Sequence, residues 1–127
     1  MLQVGPDSAG STPGPACYGR GGRRATLTDA VAACNLIGHM PLGYGAVSVD
    51  QVAARAAIAP LADALGISVE ATSGNIIDIS VSGMYAEVSG LTSRFGIDPR
   101  EFYLFAFGGA GAMLACFLAR QLNMQGV

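Results

Sequence analysis

The 127-residue sequence contains no lysine, no tryptophan and a single histidine. Without a lysine to reach the nucleotide phosphates, a P-loop is excluded. The three cysteines, Cys17, Cys34 and Cys116, are odd in number and form no CxxC pair, so we expect neither a disulfide framework nor a zinc site. The first residues, MLQVGPDS, have neither a basic nor an apolar stretch, so we expect no secretory signal. We also expect a reducing, cytoplasmic compartment and no bound metal.

Charge is also scarce, with charged residues at 13% and a net charge of −2. Seven arginines against nine acids leave no basic excess to neutralise phosphates, so we expect no nucleic-acid partner, despite the Arg-Gly run at 18–24. Apolar residues make up 51% of the chain, which is too high for intrinsic disorder. These proportions predict a packed core.

An uncharged run from Phe102 to Ala119 is long enough to cross a bilayer. Glycines at 108, 109 and 111 interrupt it, and its first half, FYLFAF, is aromatic-rich like a buried strand. We therefore interpret the run as a strand, a turn and a helix rather than a membrane span.

Glycine and proline punctuation predicts the order of the remaining elements. Residues 1–24 are expected to be a turn-rich loop. The predicted elements that follow are a short β segment at Ala25–Leu27, a helix over Ala30–Ile37 capped by Thr28 or Asp29, a helix from Ser48 to Gly66 that kinks or restarts at Pro60, a long helix over Val69–Phe95 capped by Ser68, a strand at Glu101–Phe107 and a helix over Ala112–Leu122. We expect a single partial α/β domain, in which residues 1–47 are mainly loop and residues 48–127 mainly helix.

The strongest local candidate for chemistry is the run FGGAG at 107–111. A strand that turns on glycines into a helix leaves unpaired backbone amides at the helix N-terminus, where a phosphate or nucleotide can bind. A Rossmann fingerprint is disfavoured because Leu114 stands where its third glycine would be. The alternative is that Gly108, Gly109 and Gly111 only permit close packing. Asp29 is either a helix-capping carboxylate or a contact to magnesium-bound water or substrate in a nucleotide cleft.

Five motifs together resemble the hydantoinase A/5-oxoprolinase family, which includes N-methylhydantoinase A subunits and the ATP-binding subunits of acetone and acetophenone carboxylases. They are VGPDSAG at 4–10, PGPACYGRGG at 13–22, TLTDA at 26–30, DPREF at 98–102 and AFGGAG at 106–111. The resemblance implies a helix-rich piece of the actin-like ATPase fold shared with sugar kinases and heat-shock ATPases. It also implies that this chain is the carboxy-terminal part of a longer catalytic core.

By that resemblance, the parent protein is an ATP-dependent hydrolase of cyclic amides that uses ATP and Mg²⁺ and pairs with a hydantoinase B-like subunit. The amides of Gly108, Gly109 and Gly111 would face adenosine or its phosphates, and Asp29 would lie toward the cleft as a weak catalytic candidate. Alternatives are a carboxylase-type subunit and a nucleotide-binding or interaction module without catalysis. Many family members have a histidine where this sequence has Leu114, which leaves the substrate open. We expect the isolated chain to be inactive and to self-associate through apolar faces.

Overall fold

The computed structural model describes all residues, 1–127, and consists almost entirely of helices and loops. Four α-helices span α1 (Leu27–Ala33), α2 (Gln51–Leu65), α3 (Val69–Arg94) and α4 (Ala110–Gln121), and two 3₁₀ turns span Ala16–Tyr18 and Pro99–Glu101. No strand forms, and the only β contacts are isolated bridges, Leu42 with Val47 and Tyr103 with Gly126. The fold is therefore helix-rich, as expected, but it lacks the few strands that were also expected.

Helix α1 begins earlier than the sequence pattern predicted. Its N-cap is Thr26, whose hydroxyl accepts a hydrogen bond from the Asp29 amide while the Asp29 carboxylate accepts one from the Thr26 amide. This reciprocal capping box satisfies two otherwise unpaired donors at the helix N-terminus. Because Thr26 is the cap, Leu27 is helical, which rules out the predicted β segment at Ala25–Leu27. The helix also ends at Ala33 rather than Ile37.

Helix α2 is capped by Asp50 rather than Ser48, with the Asp50 carboxylate accepting from the Ala53 amide at 2.9 Å. The helix continues through Pro60 without the predicted restart and ends at Gly66, whose left-handed conformation (φ 69°) suits glycine. Helix α3 begins as predicted, with the Ser68 hydroxyl accepting from the Ala71 amide at 3.1 Å. It runs to Arg94 without interruption.

The chain divides into two compact units, Met1–Ile77 and Asp78–Val127. In the first unit, a small core forms from Cys17, Ala32, Ala33 and Ala54, against which partly buried Tyr18, Ile37, Val49 and Val69 pack. In the second unit, α4 buries one stripe of side chains, Leu114, Ala115, Leu118 and Ala119. The expectation of a single partial domain stays a prediction.

The strand predicted at Glu101–Phe107 does not form, and a single β-bridge stands in its place. Its first residue, Glu101, is the last of a 3₁₀ turn, and a parallel bridge joins Tyr103 to Gly126. Two hydrogen bonds support the bridge: the Leu104 amide donates to the Gly126 carbonyl at 2.8 Å, and the Gln125 amide donates to the Phe102 carbonyl at 3.0 Å. A strand needs neighbours along its length to satisfy its backbone groups, and the second unit supplies a neighbour only at residues 125–126.

No single helix is long and apolar enough to cross a membrane, although α2 and α3, taken together as a bent pair, satisfy the criteria of length and composition. The run from Phe102 to Ala119, which raised the membrane alternative, is divided between an irregular segment and α4.

Candidate functional site

Gly108 and Gly109 form the turn into α4, which begins at Ala110 rather than at the predicted Ala112, so Gly111 lies in the first turn of the helix. Gly108 adopts φ 82°, a left-handed conformation that favours glycine. Gly109 is the N-cap and supplies no side chain to the helix amides, so the first-turn amides of this 12-residue helix have no side-chain cap. The glycine pattern of the sequence predicts such uncapped amides at this helix N-terminus.

Packing does not explain the glycines of this turn within the chain. A Cβ atom added at Gly108, Gly109 or Gly111 would meet no atom within 4 Å. The alternative that these glycines permit close packing is therefore not supported by any contact in the structure. The positions that side chains would occupy at these three residues are open.

Asp29 lies in the other unit and is fully buried, with 0% of its surface exposed. One carboxylate oxygen, Oδ1, accepts from the Cys17 amide at 2.8 Å. The other, Oδ2, accepts from the Ala16 amide at 3.2 Å and from the amide and hydroxyl of Thr26 at 3.0 and 2.7 Å. Asp29 does cap α1, but from the third helical position of the capping box rather than as the predicted N-cap. Its carboxylate also holds the 13–18 segment against α1.

The loop before α1 is fixed by further backbone contacts that the sequence analysis missed. The Cys17 carbonyl accepts from the amide of Asp50, the N-cap of α2, at 2.8 Å. Gly22 lies so close to Gly14 that an added Cβ would stand 2.1 Å from the Gly14 carbonyl oxygen. The spacing of Thr26 and Asp29 carries the capping-box signal, but no local pattern reveals a contact between backbones eight residues apart.

Burial and the neighbouring carboxylate make Cys17 a poor nucleophile. The thiol is fully buried, and burial, with a hydrogen bond to Asp29 as the next cause, raises its pKa to about 12. A thiol with such a pKa stays protonated at neutral pH, and the thiolate is the reactive form. The sequence-based interpretation of Cys17 as a packed residue is confirmed.

Polar groups on α1, α2 and α3 form a second cluster in the first unit. The Arg55 guanidinium donates to the Glu70 carboxylate and, at 3.4 Å, to the Ala33 carbonyl. The hydrogen bond from Arg55 lowers the pKa of Glu70, whereas burial raises the pKa of the Cys34 thiol. These contacts tie the start of α3 to α2 and α1, and we assign them a structural role.

The profile of the hydantoinase/oxoprolinase family matches residues 1–127, the whole chain. The chain belongs to the hydantoinase/oxoprolinase family. It is 40% identical over 124 residues to the caprolactamase subunit alpha of Pseudomonas jessenii, covering 97% of this chain and 18% of that subunit. It is 32% identical to 5-oxoprolinase 1 of Arabidopsis thaliana, covering 99% of this chain and 11% of the relative.

Solved structures of the family have the same fold over this region. The crystal structure of the ATP-dependent caprolactamase from Pseudomonas jessenii superimposes with a TM-score of 0.88 at 40% identity, covering 98% of this chain and 18% of that one. The nucleotide-free acetone carboxylase gives a TM-score of 0.84 at 29% identity, with the same coverage. Hydantoinase/oxoprolinase relatives of this kind are thus more than five times as long as the present chain.

Proposed function

We propose that the chain forms the adenosine-side part of the nucleotide site in an ATP-dependent enzyme that hydrolyses cyclic amides. The observation that carries this proposal is the open glycine turn at the uncapped N-terminus of α4. Backbone amides at such a terminus attract anionic oxygens, and no side chain caps those of α4. The caprolactamase relative is named as ATP-dependent, which supports ATP as the ligand.

In this proposal the chain positions the nucleotide, and ATP supplies the phosphoryl group that activates an amide oxygen of the substrate. The amides of Gly108, Gly109 and Gly111 would contact adenosine or its phosphates, without a lysine. No group of three or more His, Cys, Asp or Glu side chains could hold a metal ion. We therefore propose that Mg²⁺ binds through the nucleotide phosphates and through residues beyond these 127.

Several wider features belong to the same proposal and rest on the family. They are an actin-like ATPase architecture, a hydantoinase B-like partner subunit and a cytoplasmic location. The caprolactamase and acetophenone carboxylase relatives are named as subunits, alpha and gamma, which supports a multi-subunit parent. Asp29 enters as a positioning residue that fixes the 13–18 segment, because both of its carboxylate oxygens accept hydrogen bonds from the chain itself.

A carboxylase-type parent is the second candidate function. It is favoured by the structural match to acetone carboxylase and by the 38% identity to the acetophenone carboxylase gamma subunit of Aromatoleum aromaticum. A nucleotide-binding module without catalysis is the third. All three use the same glycine turn, so the test of the turn comes first.

Replacing Gly109 with valine tests the nucleotide site. Gly109 has φ −84° and open space around an added Cβ, so the G109V chain should fold while its branched side chain covers the helix amides. We expect isothermal titration with ADP to show at least a tenfold loss of affinity. The matched control is Gly83→Val on α3, where an added Cβ also meets nothing within 4 Å. Equal ADP affinity in the two variants would show that the turn is not the nucleotide site.

A further inference from the structure

The loop at residues 19–24, which the proposed function does not use, concentrates positive charge in the first unit. Three of the chain's seven arginines, Arg20, Arg23 and Arg24, lie there within five consecutive positions. The Arg24 guanidinium has an acidic neighbour, the Asp7 carboxylate at 4.0 Å, and both side chains are highly exposed. The other two guanidinium groups are exposed and form no salt bridge. We call residues 19–24 the arginine loop.

Contacts on both sides of the arginine loop hold its backbone in place. Before the loop, the Cys17 amide donates to the Asp29 carboxylate at 2.8 Å. After the loop, the amide and hydroxyl of Thr26 donate to the same carboxylate at 3.0 and 2.7 Å. Within the loop, Gly22 packs so closely on Gly14 that no side chain fits between them. The arginines are therefore held near one another on a fixed backbone.

The arginine loop also offers backbone donors beside its guanidinium groups. Gly19 and Gly21 adopt left-handed conformations, with φ 65° and 94°, which favour glycine. The amides of residues 20–23 donate to no backbone acceptor of the chain, and glycine at 21 and 22 supplies no side chain to cover them. Backbone amides of glycine-rich turns and arginine forks are the donors that phosphate oxygens accept from.

We propose that the arginine loop binds a small phosphate compound through the Arg20 and Arg23 guanidinium groups and the amides of residues 20–23. Arginines without acidic partners on a fixed backbone repel one another, and a phosphate oxyanion, with several acceptor oxygens and more than one negative charge, offsets that repulsion. The site lies in the first unit and uses no residue of the glycine turn before α4. It therefore does not rest on the proposed function.

Isothermal titration with inorganic pyrophosphate tests the site. The titration uses the Gly109→Val chain, so that the turn proposed to bind nucleotide is covered and contributes no heat. We expect pyrophosphate to bind, and the added double substitution Arg20→Gln/Arg23→Gln to weaken binding at least tenfold, because it removes charge-assisted hydrogen bonds. Both arginines are exposed, so the variant should fold, which circular dichroism would verify. The matched control, Arg94→Gln/Arg120→Gln, removes the same charge from exposed positions of the second unit and should keep the affinity.

The outcomes separate a phosphate site from attraction by overall charge. Absence of pyrophosphate binding would overturn the inference. Equal affinities of the two double variants would also overturn it, because the two arginines of the loop would then have no special role. A single-stranded RNA oligonucleotide is the second ligand: binding of RNA without binding of pyrophosphate would contradict a small-molecule site and identify the loop as a nucleic-acid contact.

Discussion

Asp29 shows how one buried carboxylate can organise a long glycine- and proline-rich loop. It accepts hydrogen bonds from Ala16, Cys17 and Thr26. Each of these buried or partly buried donors is left unsatisfied if the carboxylate is removed. The loop 13–18 therefore depends on this side chain for its position.

Asp29→Asn should destabilise the chain by about 2–4 kcal/mol, because an amide offers one acceptor oxygen and turns an NH₂ group toward N–H and O–H donors. Urea unfolding followed by circular dichroism measures the change. Asp63→Asn, at an exposed position on α2, is the matched control and should change stability by less than about 0.5 kcal/mol. Equal effects at the two positions would contradict the positioning role.

Cys17 should make stability fall at alkaline pH. Burial raises the pKa of its thiol to about 12 in the folded chain from an ordinary value of 9.0. The stabilising effect of the protonated thiol is thus complete below pH 9 and is lost as the pH rises from about 9 to about 12. Unfolding free energies measured across that range should decline less steeply in Cys17→Ala, which lacks the titrating group. If the unfolding free energy of Cys17→Ala fell as steeply with pH as that of the unmodified chain, Cys17 would not be the titrating group.

The same thiol should resist alkylation. At pH 8, iodoacetamide should modify exposed Cys116 rapidly and leave buried Cys17 unmodified until the chain is denatured. Mass spectrometry of digested samples, with and without urea, would identify the labelled cysteines. Modification of Cys17 in the folded chain at a rate near that of Cys116 would show that the 13–18 loop opens readily.

Helices were predictable from sequence where their ends carry local signals. Ser68 starts α3 and Gly66 ends α2 as predicted, because a capping hydroxyl and a left-handed glycine act within a few residues of the helix end. The strand predicted at Glu101–Phe107 does not form. A strand depends on neighbours distant in sequence, and the structure provides one only at residues 125–126.

In the candidate site, too, the features set by local sequence were predictable and the long-range contacts were not. The glycines at 108–111 and the start of α4 were recognisable because their geometry is local. The fourfold hydrogen bonding of Asp29 and the close approach of Gly22 to Gly14 depend on how the loop folds back onto α1. A Cβ atom added at Gly74, Gly83 or Gly90 in α3 also meets nothing within 4 Å, so no contact within this chain requires glycine at these positions.

Alanine substitutions at two glycines should therefore have opposite effects. Gly83→Ala adds a methyl group in open space on α3 and should stabilise the chain by up to about 1 kcal/mol through helix propensity. Gly22→Ala forces a methyl group against the Gly14 carbonyl, 2.1 Å away, and should destabilise the loop by about 1–3 kcal/mol. Thermal unfolding of both variants measures the difference. If both substitutions raised the unfolding temperature, or both lowered it, the contacts described at one of these positions would be contradicted.

At the scale of the whole molecule, the chain spans 18% of the caprolactamase subunit it resembles. A complete ATP-dependent reaction needs groups that hold the triphosphate, a metal ion and the substrate, and the proposed turn supplies only backbone amides. If the proposed function holds, the glycine turn binds nucleotide and turnover uses further residues of the longer parent protein. We therefore expect this chain to bind nucleotide without turning it over.

We expect no phosphate release when the chain is incubated with ATP, Mg²⁺ and a hydantoin or lactam. Under the same conditions, ADP at ten times its Kd should stabilise the chain by about 1.4 kcal/mol, seen as a higher unfolding temperature. Gly109→Val should lose that shift, which separates binding at the turn from non-specific stabilisation. Turnover by the isolated chain would refute the proposal that catalytic groups lie elsewhere. A thermal shift that persists in Gly109→Val would instead place the nucleotide at another position on the chain.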